Sequence, residues 1–155
     1  MVFTDSQRRF KLSWVLVEEL AIGSAPREER HLEYLEAEGI KAVLSLSSHA
    51  EASLPEQIEQ RFKYRRFVLP DHKANRLVKL EELEEAITIL HSLWPHRPVF
   101  VHCVAAMERS PLVCLAWLMQ QKELSQRQAL DYLMQIHPGT SPLPEQLSVL
   151  DGLIK

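Results

Sequence analysis

One ten-residue stretch holds the side chains that are most capable of chemistry. From Val101 to Ser110 the chain reads VHCVAAMERS, with Cys103 near its start and Arg109 near its end. A cysteine thiolate is a strong nucleophile, and the planar guanidinium of arginine can bind two oxygens of a phosphate at once. This pair of residue types predicts a nucleophile placed beside an oxyanion site.

The flanking sequence predicts how the stretch is held. A short apolar run ends at Val101 and a long apolar run begins at Leu112, which indicates a strand, a tight loop and a helix. Pro111 suits the first turn of that helix, where no backbone donor is needed. Amides that converge at a helix N-terminus attract anions. We therefore expect six loop residues to bind phosphate: Val104, Ala105, Ala106, Met107, Glu108 and Arg109.

This geometry predicts a reaction. A bound phosphate monoester would face the Cys103 sulfur while the loop amides and Arg109 hold its oxygens, which suits in-line displacement through a cysteinyl-phosphate. Ser110 can donate a hydrogen bond to the sulfur and help the thiolate to leave in the second step. Asp71, in a polar loop, is a candidate general acid for the leaving oxygen. The alternative is that Asp71 only shapes a turn, which aspartate favours.

The pattern His-Cys, five residues, Arg-Ser, which begins at His102, resembles the signature loop of the cysteine-dependent protein tyrosine phosphatase superfamily. The chain is similar to the dual-specificity branch, close to small bacterial and cyanobacterial members, from about Trp14 to the C-terminal helix. The resemblance implies Cys103 as the nucleophile, Arg109 as the phosphate ligand, and Asp71 as the acid and then the base toward water. It also implies that no metal or organic cofactor is needed.

Two loop residues depart from the family pattern. The family commonly has glycine where this chain has Ala106, and alanine would be strained there if φ is positive. Glu108 is acidic close to an anion site, and we expect its side chain to point out of the loop. These departures support an alternative, a phosphate-binding module with little turnover. A further alternative is an enzyme for phosphoinositides or RNA 5′-triphosphates, although the loop contains no lysine for such highly charged substrates.

Other candidates have structural explanations. His102 could ligate a metal, but no second histidine or cysteine stands at ligand spacing, so we expect it to hydrogen-bond backbone and orient the loop. Cys114 is expected to be buried on the following helix, and a protective disulfide with Cys103 is the alternative. His72 and Asn75, close to Asp71, could touch substrate or only shape their loop.

Length and composition fit one domain spanning residues 1–155, with residues 1–11 as a possible loose arm. The 155 residues are 46% hydrophobic and 25% charged, as in ordinary globular proteins, and contain two cysteines. The net charge of −3 suggests no nucleic-acid partner, and no apolar run approaches the ~20 residues of a membrane span. We expect a cytoplasmic protein that acts on a phosphorylated protein or a small monoester; the oligomeric state is left open.

Strand and helix patterns alternate along the chain. Strands are predicted at 14–17, 20–22, 40–46, 64–69 and 99–101. Helices are predicted from residue 24 to 39, at 55–60, 79–94, 110–122 and 125–136, and from Pro144 onward. This alternation predicts an α/β fold with a four- or five-stranded, mainly parallel sheet and helices on both faces.

Overall fold

A computed structural model describes residues 9–153. Within them lie five strands: β1 (Ser13–Leu16), β2 (Leu20–Gly23), β3 (Ala42–Ser45), β4 (Lys63–Arg66) and β5 (Val99–His102). The α-helices are α1 (Glu29–Ala37), α2 (Ile58–Arg61), α3 (Leu80–Leu93), α4 (Arg109–Gln121), α5 (Gln126–Ile136) and α6 (Pro144–Leu147). Short 3₁₀ turns follow α3 and α6.

The strands form one sheet in the order β1-β2-β5-β3-β4, in which only β1 runs antiparallel to its neighbour. This confirms the predicted mainly parallel sheet and sets the strand number at five. His102 at the end of β5 pairs with Gly23 of β2 on one side and with Ser45 of β3 on the other. The segment after β5 therefore emerges between the segments that follow β2 and β3, at the edge where open α/β sheets bind ligands.

Each face of the sheet carries its own apolar core. Successive residues of β5 point to opposite faces: Val99 and Val101 join α3, α4 and α5 in the larger core, and Phe100 joins α1 and α2 in the smaller one. Helix α4 lies deepest, because all of its residues from Arg109 to Met119 are buried. The predicted helices on both faces are confirmed, and the segment that follows His102 lies between a fully buried strand and the most buried helix.

Several local boundaries differ from the prediction. Strand β3 spans Ala42–Ser45 instead of residues 40–46, and α2 begins at Ile58 instead of residue 55. Helix α1 begins only at Glu29, because the preceding turn gives its amides elsewhere, Ala25 to the Val104 carbonyl and Arg27 to His31 Nδ1. Strand β4 ends at Arg66 rather than at residue 69. Helix α6 spans a single turn before its 3₁₀ continuation.

Two expectations from the sequence concern the chain ends and membranes. Residues 1–8 of the predicted arm lie outside the described residues, whereas Phe10 stacks on His31 with ring centroids 4.4 Å apart. Within residues 9–153, no helix is both long and apolar enough to cross a bilayer.

Candidate active site

The loop formed by residues 103–109, hereafter the Cys–Arg loop, connects β5 directly to α4. The Cys103 side chain is almost buried, with 3% exposed, and its Sγ lies 3.2 Å from Ser110 Oγ. A cavity of about 350 Å³ opens above it and is lined also by Asp71, Glu51 and Arg109. The structure thus brings the predicted nucleophile, acid and phosphate ligand to one cavity.

A chain of hydrogen bonds fixes the start of the loop. His102 Nδ1 lies 2.8 Å from the Cys103 carbonyl oxygen, so Nδ1 carries the proton and donates it there. His102 Nε2 must then accept, and its partner at 2.5 Å is the Ser45 hydroxyl, which itself accepts from the Tyr64 hydroxyl at 2.9 Å. Burial lowers the pKa of His102 to about 4, so the ring is neutral at physiological pH. The neutral imidazole holds the backbone carbonyl of the cysteine in one orientation.

The Arg109 guanidinium is anchored before any phosphate binds. It is 3% exposed, and its Nη1 donates to the carbonyl oxygens of Leu46 at 3.3 Å and Leu69 at 3.0 Å. The carboxylate of Glu51 accepts from Nη1 at 3.2 Å, and its Oε1 forms an ion pair with Nη2 at 2.9 Å. Among the described residues, Nε–H and one Nη2–H are left without a partner, which is the pair of donors that a bidentate phosphate contact needs.

Glu51 is a site residue that the sequence reasoning missed. Its carboxylate also accepts the Ser48 backbone N–H at 2.7 Å. Burial would raise the pKa of this carboxyl, but the hydrogen bonds from Arg109 and Ser48 outweigh it and lower the pKa below its ordinary value. The only sequence signal for Glu51 was its place on the segment after β3, at the same edge of the sheet as the Cys–Arg loop. No motif spacing links residue 51 to residue 109.

The backbone is strained in the middle of the loop, at the residue where the sequence predicts strain if φ is positive. Ala106 adopts φ +59°, the left-handed region that favours glycine. Its carbonyl accepts a hydrogen bond from His137 Nε2 at 2.8 Å, and the Met107 carbonyl accepts one from the Ser141 N–H at 2.8 Å. The segment after α5 therefore supports the strained part of the loop through two hydrogen bonds.

The loop of residues 70–79, hereafter the Asp71 loop, contributes Asp71 to the cavity of Cys103 and His72 to a contact with Glu108. Asp71 Oδ1 accepts the backbone N–H of Lys73 at 2.9 Å, as a turn residue would, while the side chain still lines the cavity of Cys103. Glu108 Oε2 lies 2.7 Å from His72 Nδ1. The acidic residue of the Cys–Arg loop is thus engaged by a histidine of the Asp71 loop.

Comparison with known proteins decides the family. The family described as "Dual specificity phosphatase, catalytic domain" matches residues 20–151. The chain belongs to this family. Human dual specificity protein phosphatase 2 is 35% identical over 115 residues, which cover 72% of this chain and 34% of that protein. Human dual specificity protein phosphatase 6 is 32% identical over 126 residues, which cover 79% of this chain and 31% of that protein. The chain therefore spans about a third of the length of these curated relatives.

Solved structures agree with this assignment. The structure described as Tk-PTP in the active form is 26% identical, with a TM-score of 0.78 and coverage of 90% of this chain and 93% of that chain. PTPMT1 in complex with PI(5)P is 20% identical, with a TM-score of 0.73 over 85% and 87% of the two chains, and shares the fold. The predicted membership of the dual-specificity branch is confirmed, whereas placement among bacterial members stays a prediction.

The second cysteine of this dual specificity phosphatase domain lies in the core. Cys114 is completely buried on α4, and burial, together with the nearby Cys103, raises the pKa of its thiol far above the ordinary value. Both cysteines are free thiols. Within residues 9–153, no group of three His, Cys, Asp or Glu side chains is arranged to hold a metal ion.

Proposed function

We propose that the chain is a cysteine-dependent phosphatase that hydrolyses phosphate monoesters of phosphotyrosine and/or phosphoserine and phosphothreonine in proteins. One observation carries the proposal: Cys103, Arg109 and Asp71 line the same cavity, and Arg109 is anchored with two donors to spare. The relatives named dual specificity protein phosphatases support a protein substrate over a lipid or an RNA.

The first step forms a phosphoenzyme. The Cys103 thiolate attacks phosphorus, the bond between phosphorus and the leaving oxygen breaks, and the Asp71 carboxyl gives its proton to that oxygen. Loop amides and the Arg109 guanidinium stabilise the charge on the other phosphate oxygens. The product is the dephosphorylated alcohol or phenol, and the phosphoryl group remains on sulfur.

The second step returns the enzyme to its starting state. The Asp71 carboxylate takes a proton from a water molecule as that water attacks phosphorus, and the bond between phosphorus and sulfur breaks. Ser110 Oγ, 3.2 Å from Cys103 Sγ, donates a hydrogen bond to the departing thiolate. Inorganic phosphate leaves, and Asp71 again carries its proton.

Glu51 and His102 act as positioning residues in this scheme. Glu51 holds one edge of the Arg109 guanidinium, so the remaining donors are presented at a fixed angle and less side-chain entropy is lost when phosphate binds. His102 fixes the Cys103 carbonyl and thereby the first turn of the loop. We also propose that the protein works in the cytoplasm, where a reducing environment keeps the Cys103 thiol free.

A phosphate-binding module with little turnover is the second candidate. Ala106 at positive φ and the carboxylate of Glu108 favour it, because strain and negative charge both weaken an anion site. The contact between Glu108 and His72 opposes it, since that contact engages the carboxylate with the neighbouring loop.

Turnover by the purified protein tests the proposal. Wild type, Cys103→Ser and Cys114→Ser are compared on a small aryl phosphate and on phosphotyrosine, phosphoserine and phosphothreonine peptides. We expect turnover by wild type and Cys114→Ser and none by Cys103→Ser, which should stay folded and bind phosphate. If wild type and Cys103→Ser are equally inactive on every substrate, the chain is the binding module. If Cys103→Ser keeps substantial activity, the nucleophile is a different residue.

A further inference from the structure

A second and larger cavity adjoins the active site. Its volume is about 640 Å³, against about 350 Å³ for the cavity above Cys103. Val104 and Ala105 of the Cys–Arg loop line both cavities, so one short piece of backbone separates them. The other walls come from the start of the described chain, from the β2–α1 turn and from the first turn of α1. We call this second space the basic cavity, after its lining residues Arg9, Arg27 and Arg30.

The charge of the basic cavity is opposite to that of the whole chain. Three arginines and one glutamate line it, whereas the chain carries a net charge of −3. Glu28 accepts two hydrogen bonds from Arg30, at 3.1 and 2.8 Å, and so compensates that cation. Arg9 and Arg27 form no ion pair within residues 9–153. Within the described residues, two cations without an ion-pair partner therefore stand beside a loop that is itself suited to an anion.

Hydrogen bonds and ring stacking hold the walls of the basic cavity in place. His31 Nδ1 accepts the backbone N–H groups of Arg27 and Glu28 at 3.1 and 3.2 Å, which fixes the turn that carries Arg27. The same ring stacks on Phe10 at an interplanar angle of 18°. Burial lowers the pKa of His31, so the cationic character of the cavity comes from its arginines.

The basic cavity is also tied to the Cys–Arg loop. The Ala25 N–H, in the β2–α1 turn, donates to the Val104 carbonyl at 3.0 Å. This bond fixes the turn beside the first residue after the nucleophile. A ligand that spans both cavities would therefore meet two anion sites held at a constant separation, which lowers the entropic cost of binding the second group.

We propose that the basic cavity binds a second anionic group of the phosphoprotein substrate, a phosphorylated or carboxylate side chain close in sequence to the residue being hydrolysed. The proposal rests on the proposed function and names its substrate class more narrowly. Guanidinium groups match the geometry of phosphate and carboxylate alike, so both sources share one chemistry. Because the cavities share a wall and an extended chain advances about 3.3–3.6 Å per residue, the second group belongs within a few residues of the first.

Peptide binding to the Cys103→Ser protein tests the subsite without requiring turnover. Three series of phosphotyrosine peptides carry a phosphoserine, a glutamate or a serine at each of the two positions on either side. Affinity is measured by fluorescence anisotropy at 50 and 300 mM NaCl. We expect the phosphoserine series to bind up to about tenfold more tightly than the serine series at its best position, because each exposed ion pair contributes about 1.4- to fivefold and at least two can form. Glutamate should give a smaller gain, and salt should reduce both gains.

Charge variants in the same background locate the subsite. The double substitution Arg9→Gln with Arg27→Gln should remove most of the preference for the second anionic group. Arg97→Gln removes an exposed arginine next to the opposite end of β5 and is the matched control, which should keep the preference. Both are compared with the serine series, so a general loss of phosphate binding is separated from a loss at the subsite.

Three results would overturn the inference. One is equal affinity for all three peptide series. Another is a preference for the second anionic group that the double variant Arg9→Gln with Arg27→Gln retains, or that the control Arg97→Gln also loses. The third is tighter, Arg27-dependent binding to vesicles that contain a phosphoinositide than to any peptide, which would assign the cavity to a lipid. Failure of the proposed function is recognised separately, because it is the absence of turnover by the wild-type protein on every substrate.

Discussion

Protonation of His102 should control how the stability of the domain depends on pH. The imidazole is buried between β5 and β3, donates from Nδ1 to the Cys103 carbonyl, and accepts at Nε2 from Ser45. A second proton would have to occupy Nε2, break the bond from Ser45 and place a charge in the core. Burial, with a smaller contribution from the cations Arg66 and Arg109, therefore lowers the pKa of His102 from 6.5 to about 4.

The sign and size of the effect follow from proton linkage. The unfolded chain, with a histidine pKa of about 6.5, binds a proton at pH values where the folded chain does not, so protonation favours unfolding. Stability is complete above this unfolded-state pKa and falls as the pH drops from about 6.5 toward 4, where the folded state is protonated as well. The loss between pH 7 and pH 5 should be about 2 kcal/mol from this residue alone.

Urea unfolding of wild type and His102→Gln at pH 7, 6 and 5 measures the effect. Glutamine is polar and cannot be protonated, so the variant should lose about 2 kcal/mol less than wild type between pH 7 and 5, whatever its absolute stability. His96→Gln, at an exposed histidine, controls for the removal of a histidine as such. Glu51, whose pKa is lowered below 4.5, affects stability only under more acidic conditions. Protonation of His31 changes the stability of wild type and of His102→Gln by the same amount.

One result would refute this reasoning. If wild type and His102→Gln lose the same free energy between pH 7 and 5, His102 is not the group whose protonation is resisted. Should the variant fail to fold, the NMR signal of the His102 ring in wild type answers the same question. It should remain that of a neutral imidazole at pH 5, with the proton on Nδ1.

Four substitutions test the roles proposed at the site. Arg109→Lys should lower kcat/KM severely, because a point charge cannot replace a two-donor fork; recovery of most wild-type activity would make the arginine structural. Glu51→Gln should raise the Kd for phosphate with a smaller effect on the fold, since one edge of the guanidinium loses its charged partner; an unchanged Kd would contradict this. Ala106→Gly relieves about 1 kcal/mol of strain at φ +59° and should keep or raise kcat; a large loss would show that the methyl group is needed. Asp71→Asn should lower kcat about 10²–10⁴-fold for leaving groups of high pKa and less for acidic phenols; equal losses across a leaving-group series would reduce Asp71 to a turn residue.

The fold and the centre of the site were predictable from local sequence signals. The apolar run of β5, the helical spacing along α3 and the turn residues Gly39 and Pro144 each report on a short segment. Strand β5, helix α3 and the start of α6 formed as expected, whereas α1 begins later than predicted. Cys103 and Arg109 were found because they share one loop, so their separation along the chain fixes their separation in space.

Partners brought together by the sheet were not predictable. Glu51, Tyr64 and His137 reach the site from separate elements, and their contacts depend on strand order, register and the docking of the segment after α5. No periodicity or spacing encodes such pairings when a single sequence is considered. The late start of α1 has the same origin, since a hydrogen bond from Ala25 to the Cys–Arg loop holds the preceding turn.

The two departures of the loop from the family pattern are each matched by a partner outside it. A non-glycine residue at positive φ costs about 1–2 kcal/mol. The bonds from His137 to the Ala106 carbonyl and from Ser141 to the Met107 carbonyl offset about 1–3 kcal/mol, at about 0.5–1.5 kcal/mol each. Alanine is therefore tolerable here as long as the segment after α5 stays docked. Glu108 is engaged in the same way by His72. The conformation of this loop is thus a property of the loop together with its two neighbours, so the loop residues alone do not determine the activity of the chain.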